Sequence, residues 1–294
     1  MRAEFQTVYR SASLHQIKEA ESRAAYYCQL DQKFSTDDPV CDVKSFKLGS
    51  HHSAYYFDAA ETLRLFPDDW PINYIFGDVN YNPENPCFTK SRPIKASPQN
   101  AILLNLDRYR HFNFISDHVE YSDKADKVVW RGQLHNDLRK QAVRNFATHP
   151  KVDFGTPDKK YKNDPAYLAA MSRRELLESK WILSLEGYDV ATSTAWILGT
   201  NSVCIMPEPR FETWFMHGKL IPDTHFARVS PDLADLNDVI EKLQAEPKWA
   251  SNIIKAANSF QSQFQDPIIE TLSAYLTAKL FFELSGQSTS NLEF

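Results

Sequence analysis

Three glycines follow apolar segments that read as β-strands, and their positions suggest where chemistry could take place. Gly77 follows INYIF, Gly132 follows VVWR, and Gly187 follows WILSLE. The chain has only eight glycines, whereas average usage of about 7% would give roughly 20, so each position is informative. In open parallel α/β sheets, ligands bind beyond the carboxyl ends of the strands, where a glycine lets the backbone approach them. Taken singly, each glycine could equally make a tight turn between a strand and a helix.

Polar side chains stand near two of these glycines and could bind an anion such as a diphosphate. Arg131 precedes Gly132, and its planar guanidinium can bind two oxygens at once. After Gly187, Thr192 and Ser193 stand at the start of an apolar-periodic helix, whose first N–H groups and dipole favour an anion. No GK[ST] sequence is present in this segment, which disfavours a Walker A kinase or ATPase. A surface arginine paired with an acid, and an ordinary capped helix, remain the alternatives.

A regular alternation of strands and helices beyond Lys127 would position these residues. The predicted strands are VVW at 128–130, VDF at 152–154, WILSL at 181–185 and SVCIM at 202–206. The predicted helices are 134–146, 172–180, 191–198 and 235–245. This spacing predicts βαβ units, and therefore an α/β fold with a parallel sheet. Ser172 and Glu175 have the spacing of a capping box, which marks a helix start.

The N-terminal part of the chain has a less regular pattern. Residues 13–29 place apolar side chains at helical spacing behind Ser13, which predicts a capped amphipathic helix. Short apolar runs at Ala54–Phe57, Ile72–Phe76 and Ala101–Leu106 are separated by stretches rich in proline and asparagine. This pattern predicts strands joined by long loops. Residues 248–285 predict helices that close the chain.

Composition excludes several classes of protein. The 294 residues are 43% hydrophobic and 24% charged, as in globular proteins and unlike disordered or fibrous ones. Because 33 basic and 38 acidic residues give a net charge of −5, we expect no nucleic-acid partner. The four cysteines form no CxxC pair, which argues against a zinc cluster or disulfide framework and fits a reducing compartment. No apolar segment is long enough for a standard signal peptide or membrane span, so we expect a cytoplasmic protein.

Several segments in order along the chain resemble glycosyltransferase family 90. They are VVWRG at 128–132, SKWILSLEGYDVATS at 179–193, NSVCIMPEPRFETWF at 201–215 and DLADL at 232–236. Upstream, residues 76–94 and 102–112 look most like the bacterial branch that acts on lipopolysaccharide cores. The resemblance covers roughly residues 70–265, and several motifs in register are more specific than a single glycine pattern.

The resemblance implies a two-domain fold of the GT-B type with its active site in the cleft between the domains. Residues 1–125 would form an acceptor-binding domain, 126–262 a Rossmann-like nucleotide-sugar domain, and 263–294 C-terminal helices. The implied activity is inverting transfer of a sugar from a UDP-sugar to a hydroxyl of a lipopolysaccharide core or related surface glycan. No cofactor and no metal are expected, and the protein could contact the inner membrane surface peripherally. A protein or polysaccharide acceptor is an alternative.

The resemblance also implies roles for individual residues. The family's general base is an Asp at a strand end, before a proline-containing loop and an aromatic-Ser/Thr-Lys sequence, and Asp78 matches that position. An Asx-turn or cap is the alternative role for Asp78. The expected nucleotide-sugar contacts are Arg131, Gly132, Lys180, Glu186, Gly187, Tyr188, Asp189, Thr192, Ser193 and Glu212. Lys90 and Arg92 are expected on the acceptor or donor side.

One position departs from the family pattern. The animal O-glucosyltransferases carry an arginine six residues after the glycine that matches Gly187, and this chain has Ser193 there. The charge of the leaving diphosphate would then be met by Arg131, Lys180, backbone N–H groups or another cation. The departure also motivates a rival hypothesis, a nucleotide-sugar-binding module without turnover.

Overall fold

The computed structural model describes residues 2–36, 39–49 and 52–289. The helices are α1 (Arg2–Ser11), α2 (Leu14–Tyr27), α3 (Ser53–Leu63), α4 (Arg108–His111), α5 (Asp137–Asn145), α6 (Arg173–Leu176), α7 (Thr194–Ile197), α8 (Leu236–Ala245), α9 (Pro247–Ser262) and α10 (Pro267–Leu284). The strands are β1 (Cys41–Asp42), β2 (Pro71–Ile72), β3 (Tyr74–Ile75), β4 (Cys87–Thr89), β5 (Ser91–Pro93), β6 (Ala101–Leu103), β7 (Ala125–Arg131), β8 (Val152–Gly155), β9 (Ser179–Leu183), β10 (Val203–Met206), β11 (Phe211–Thr213) and β12 (Ala227–Arg228). These elements form a mixed α/β fold with parallel sheets.

Contacts within the chain divide it into two compact units. Unit 1 comprises residues 1–110, 210–216 and 264–294, and unit 2 comprises residues 111–209 and 217–263. The division into domains at 125 and 262, inferred from the resemblance, stays a prediction. In the structure, the short segment 210–216 belongs to unit 1 although it lies between two parts of unit 2 in sequence.

Unit 1 is built around a small parallel sheet and two long helices. The sheet has the order β3-β4-β6, and all of its pairs are parallel. β4 is buried along its whole length, as is usual for a strand covered on both faces. Arg23 of α2 pairs with Glu270 of α10 at 2.6 Å, and Trp214 Nε1 donates to the same carboxylate at 2.6 Å. These buried polar contacts tie the two helices to the segment 210–216.

Unit 2 contains the regular parallel sheet that positions much of the candidate site. Its five strands have the order β12-β10-β9-β7-β8, and every pair is parallel. Val128, Trp181 and Val203 are in register on neighbouring central strands and are at most 1% exposed. Since all strands point the same way, their carboxyl ends meet at one edge of the sheet.

Most of the predicted elements of unit 2 are confirmed, and the capping predictions hold in both units. The strands at 128–130, 152–154, 181–185 and 202–206 appear as β7 to β10. Ser13 and Ser172 each accept a hydrogen bond from the backbone N–H three residues on and form complete capping boxes.

One predicted strand is wrong, and two predicted helices are shorter than expected. Ala54–Phe57 belongs to α3, where Tyr55, Tyr56, Ala59, Ala60 and Leu63 form one buried helical face; a run of four apolar residues cannot distinguish this from a strand. The predicted helices 172–180 and 191–198 are the single turns α6 and α7. The first ends because the chain enters β9 at Ser179.

Within the ranges that the structure describes, no helix has both the length and the apolar character needed to cross a bilayer.

Candidate active site

The carboxyl edge of the unit 2 sheet brings together the turns that follow β7 and β9. Asn136, in the first turn, caps α5 by accepting a hydrogen bond from the Arg139 backbone N–H at 3.0 Å. Its Nδ2 donates to the backbone carbonyls of Glu186 and Gly187, both at 3.1 Å. One asparagine therefore fixes the two glycine-containing turns to each other.

Arg139 places a buried cation against the turn after β9. Its side chain donates from Nη1 to the Gln133 carbonyl at 3.0 Å and from Nη2 to the Leu185 carbonyl at 2.5 Å. Its Nε is buried without a hydrogen-bond partner, and the residue is 9% exposed. Burial lowers the pKa of Arg139 to about 10, so the guanidinium still carries its charge at neutral pH. A buried N–H without a partner is rare in native proteins, and the positive charge of the guanidinium also acts on an anion that does not touch Nε.

Neighbouring atoms leave less room for a side chain at Gly132 than at Gly187. A Cβ on Gly132 would lie 2.5 Å from Cζ2 of Trp130, closer than packed carbon atoms approach. A Cβ on Gly187 would lie 3.3 Å from Nη2 of Arg139. Packing of the Trp130 ring alone is therefore sufficient reason for a glycine at 132.

Arg131 has extensive partners within unit 2. Its Nε donates to the Ala169 carbonyl at 3.0 Å, and its Nη1 donates to the carbonyls of Trp130 at 3.0 Å and Asp153 at 2.8 Å. Its Nη2 lies 2.8 Å from Oδ1 of Asp153 in an ion pair. This geometry matches the alternative reading of an arginine paired with an acid, and contact between Arg131 and a ligand stays a prediction.

The remaining predicted residues of the β9 turn differ in how accessible they are. The Tyr188 ring is 57% exposed and lies 4.8 Å from the ring of His135, in the turn after β7. Asp189 is buried, and its backbone carbonyl accepts from Gly187 N–H at 3.1 Å. Glu186 is half-buried beside Gly187. An exposed aromatic pair thus flanks the turn.

Thr192 and Ser193 precede a helix shorter than the sequence predicts. Both are half-buried, and Ser193 is the N-cap of α7 without a side-chain capping bond. Since α7 spans only Thr194–Ile197, it has at most a small dipole, which weakens the predicted anion site at its start. Ser184 Oγ and Thr194 Oγ1 lie 2.8 Å apart in a hydrogen bond that fixes this turn to the end of β9.

Lys180 lies apart from these turns. It is the second residue of β9, at the amino-terminal end of the strand, whereas Glu186 and Gly187 follow the carboxyl end. Its Nζ pairs with Asp126 of β7 at 2.6 Å. A strand rises about 3.3 Å per residue, so Lys180 stands at the opposite edge of the sheet, and we leave it out of the proposed donor site.

Glu212 and Arg92 form a buried ion pair in unit 1. Glu212 is 2% exposed and Arg92 is fully buried, with 2.8 Å between the Arg92 Nε and Glu212 Oε1. The pair joins β5 and the antiparallel β11, and Arg92 also donates to the backbone carbonyls of Tyr26, Tyr27 and Ala101. Burial and these bonds account for both side chains within unit 1, so we leave both out of the proposed substrate contacts.

Asp78 stands at the carboxyl end of β3 in unit 1. It follows Gly77, whose φ of +113° is a conformation that favours glycine. The Asp78 side chain is 35% exposed, and its Oδ1 lies 2.6 Å from Nζ of Lys90, which is 1% exposed. Asp78 therefore offers a partly accessible carboxylate whose charge is supported by a buried ammonium group.

The described residues contain no group of three or more His, Cys, Asp or Glu side chains placed to hold a metal ion. Asp68 and Asp69 are two of the acidic residues covered by that search.

Three residues of these sites were not predicted from the sequence. Asn136 and Arg139 stand three apart in HNDLR, where an asparagine before a helix is a recognisable capping signal. Asp107 follows the apolar run ILLNL, so the strand-end reasoning applied to the three glycines also points to it.

A parallel sheet with glycine turns and a buried arginine at its carboxyl edge is typical of α/β proteins that bind ligands at strand ends. The chain belongs to glycosyl transferase family 90, whose family model matches residues 108–278. It is 39% identical over 267 residues to the O-glucosyltransferase LpsA of Dichelobacter nodosus, which covers 90% of this chain and 83% of that protein. The resemblance seen in the sequence is confirmed: the chain is a glycosyltransferase, and homology implies a sugar donor and an acceptor.

Proposed function

We propose that this chain transfers a sugar from a UDP-sugar to a hydroxyl of a lipopolysaccharide core or related surface glycan, with inversion at the anomeric carbon and without a bound metal. A glucosyl group is the first donor sugar to test, because the relative described above is named an O-glucosyltransferase. We expect a cytoplasmic protein in peripheral contact with the inner membrane surface, where such an acceptor would be available.

The observation that carries the proposal is the partly exposed carboxylate of Asp78 beside buried Lys90. In direct displacement, the acceptor hydroxyl loses its proton to a base while its oxygen bonds to the anomeric carbon. The bond from that carbon to the phosphate oxygen breaks, and UDP leaves with the electron pair. A positioned carboxylate can accept the proton, which typically contributes about 10²–10⁴ in rate.

The developing negative charge of the leaving diphosphate requires positive groups at the donor turn. We assign this role to the Arg139 guanidinium and to backbone N–H groups of the turn from Glu186 to Ser193, with Gly132 allowing close approach of the β7 turn. Arg139 carries its charge at neutral pH and has a buried Nε without a partner. Fixed positive groups aimed at developing charge are usually the largest contribution to such catalysis. Arg139 is thus our candidate for the additional cation that Ser193 makes necessary.

The exposed ring pair of Tyr188 and His135 supports a further part of the donor assignment. Flat aromatic faces next to a phosphate-binding turn can stack on a nucleobase or on the apolar face of a sugar. We expect Tyr188 to contact the donor, while buried Asp189 shapes the turn through its backbone.

A product assay tests the proposal and separates it from a binding module without turnover. The purified protein is incubated with UDP-glucose and a truncated lipopolysaccharide core, and UDP release and the anomeric configuration of the product are measured. A β-linked product from an α-linked donor supports the proposal. Donor binding with neither transfer nor donor hydrolysis would favour the binding module.

A thermal-shift screen identifies the donor independently of the acceptor. UDP-glucose, UDP-galactose, UDP-xylose, UDP-N-acetylglucosamine and UDP are compared at equal concentrations. A ligand at 100 times its Kd stabilises the fold by about 2.7 kcal/mol, which such a screen detects readily.

A further inference from the structure

Three neighbouring parallel strands of unit 1 each place a charged residue at the same sheet edge. Asp78 follows β3, Lys90 directly follows β4, and Asp107 lies shortly after β6. Because the strand order is β3-β4-β6 and all pairs are parallel, the middle position belongs to Lys90. Lys90 therefore follows the middle strand, and the two carboxylates follow the strands on either side of it.

Lys90 is placed to act on Asp78 and not on a substrate. Its side chain is 1% exposed, whereas that of Asp78 is 35% exposed, and the ion pair between them measures 2.6 Å. A buried ammonium group that pairs with an accessible carboxylate can orient that carboxylate and stabilise its ionised form. It has almost no surface with which to bind a sugar or a phosphate.

Asp107 is a buried carboxylate in an unusual backbone conformation. It is 3% exposed, its φ is +58°, and its Oδ2 accepts from Nη1 of Arg110 at 2.9 Å. Burial raises the pKa of Asp107, and the nearby charges of Arg110 and Lys90 lower it in part. Left-handed backbone at a residue other than glycine costs free energy and often marks a functional position.

The same cluster of charges surrounds Tyr55 of α3. Burial raises the pKa of Tyr55 to about 12, and Lys90, Asp107, Asp78 and Arg110 all act on it electrostatically. These charged groups therefore act on a common site, the Tyr55 hydroxyl.

Further titratable or charged groups in this region include His52, Asp58 and Arg108. His52, at the start of α3, approaches Gly77, since a Cβ there would lie 3.8 Å from its Cε1. Asp58 of α3 acts on Asp107 electrostatically and pairs with Arg108 at 2.9 Å.

We propose that Lys90 and Asp107 are positioning residues for the base of sugar transfer. Lys90 orients the Asp78 carboxylate and weakens its affinity for a proton. The negative charge of Asp107 partly restores that affinity. This inference rests on the proposed role of Asp78. The Lys90 charge keeps Asp78 ionised and ready to accept the acceptor proton. The negative charge of Asp107 offsets part of the Lys90 field, so that Asp78 remains basic enough to take the proton.

The two variants Lys90→Met and Asp107→Asn shift the acid limb of the kcat/KM profile in opposite directions. Loss of the cation moves the limb of Lys90→Met to higher pH by about 1–3 units, the range typical of one close opposite charge. Loss of the opposing anion moves the limb of Asp107→Asn to lower pH. Asparagine tolerates left-handed backbone, so Asp107→Asn tests charge with little strain. We expect kcat of Lys90→Met to fall about 100-fold through misplacement of the carboxylate, with the Kd of UDP unchanged.

Matched controls separate positioning from a general effect on the fold. Glu61→Gln removes one negative charge from an exposed position on α3, and we expect its acid limb to stay in place. Lys90→Arg keeps the charge and should recover part of kcat and most of the acid-limb position. If Lys90→Met does not fold, the acid limbs of Lys90→Arg and Asp107→Asn are still compared with that of the wild type.

The outcomes distinguish this inference from the proposed function. An Asp78→Asn variant with full activity would remove the proposed role of Asp78 as the base, and this inference with it, while the transfer activity itself would stand. An inactive Asp78→Asn, combined with acid limbs that stay in place in Lys90→Met and Asp107→Asn, would overturn only the positioning role.

Discussion

The guanidinium of Arg92 and the carboxylate of Glu212 form an ion pair at 2.8 Å, and each side chain is at most 2% exposed. Their residues are directly opposite each other on the antiparallel strands β5 and β11. Tyr26 donates its hydroxyl hydrogen to the same carboxylate. This pair fixes the short segment 210–216 to the rest of unit 1, and we therefore propose a structural role for it.

We therefore predict that Glu212→Gln lowers stability without changing nucleotide binding. The substitution leaves the Arg92 charge buried without a counter-ion, which typically costs about 3–5 kcal/mol. Urea denaturation measures the loss, and calorimetry measures the Kd of UDP. Glu61→Gln is the control, because the exposed pair of Glu61 with Arg108 is worth at most about 1 kcal/mol. Weaker UDP binding at unchanged stability would return Glu212 to the nucleotide site.

Arg139→Met should weaken UDP binding roughly ten- to a hundredfold. This corresponds to about 1.5–3 kcal/mol, the usual contribution of a hydrogen bond to a charged group. Calorimetric titration well below the melting temperature keeps the variant folded, since the lost bonds to Gln133 and Leu185 also lower stability. Lys180→Met is the matched control: it removes a cation at the opposite sheet edge and should leave the Kd within twofold. Equal affinities for wild type and a folded Arg139→Met would remove Arg139 from the site.

Gly132→Ala should destabilise unit 2 through a clash with Trp130. The added Cβ would lie 2.5 Å from Cζ2 of that ring, and overpacking of this kind typically costs about 1–3 kcal/mol. Gly49→Ala is the control, because a Cβ there meets no atom within 4 Å. Urea midpoints of the two variants give the comparison, and equal midpoints would show that the ring moves aside freely.

The parallel sheet could be predicted from sequence because its signals are local. Strand-length apolar runs, the Ser172 capping box and regular spacing each depend on residues close together in the chain. The placement of Lys180 and Glu212 could not be predicted in this way. A lysine in a strand pattern does not reveal which end of the strand faces the ligand. Glu212 joins unit 1 through contacts that are distant in sequence, such as its pairing with Arg92, 120 residues earlier in the chain.

The same limit applies to the candidate active site. Strand ends, which sequence can indicate, point to Gly132 and Gly187, whereas Asp78 is assigned through the family resemblance. Arg139 lies within a helix, and its importance comes from burial against the neighbouring turn, which depends on tertiary packing. Asp107 also follows a strand, but the role that we propose for it depends on the charges of neighbouring strands, which the local sequence does not show.

Sugar transfer should survive treatment with EDTA. The proposed mechanism meets the diphosphate charge with Arg139 and backbone N–H groups, so chelation removes nothing that it uses. Initial rates with and without EDTA provide the measurement. Complete loss of activity, restored by Mn²⁺ or Mg²⁺, would contradict this prediction and direct attention to Asp68 and Asp69.

The Asp78→Asn variant tests most directly whether Asp78 is the base of sugar transfer. The substitution keeps the size of the side chain and removes the basic oxygen, so transfer should fall about 10²–10⁴-fold. The Kd of UDP should stay nearly unchanged, because the groups assigned to the nucleotide belong to unit 2 and Asp78 belongs to unit 1. Transfer rate and UDP affinity are measured on the same preparation. Loss of transfer with intact UDP binding is the predicted result, and transfer within a few-fold of wild type would show that Asp78 is only a turn residue.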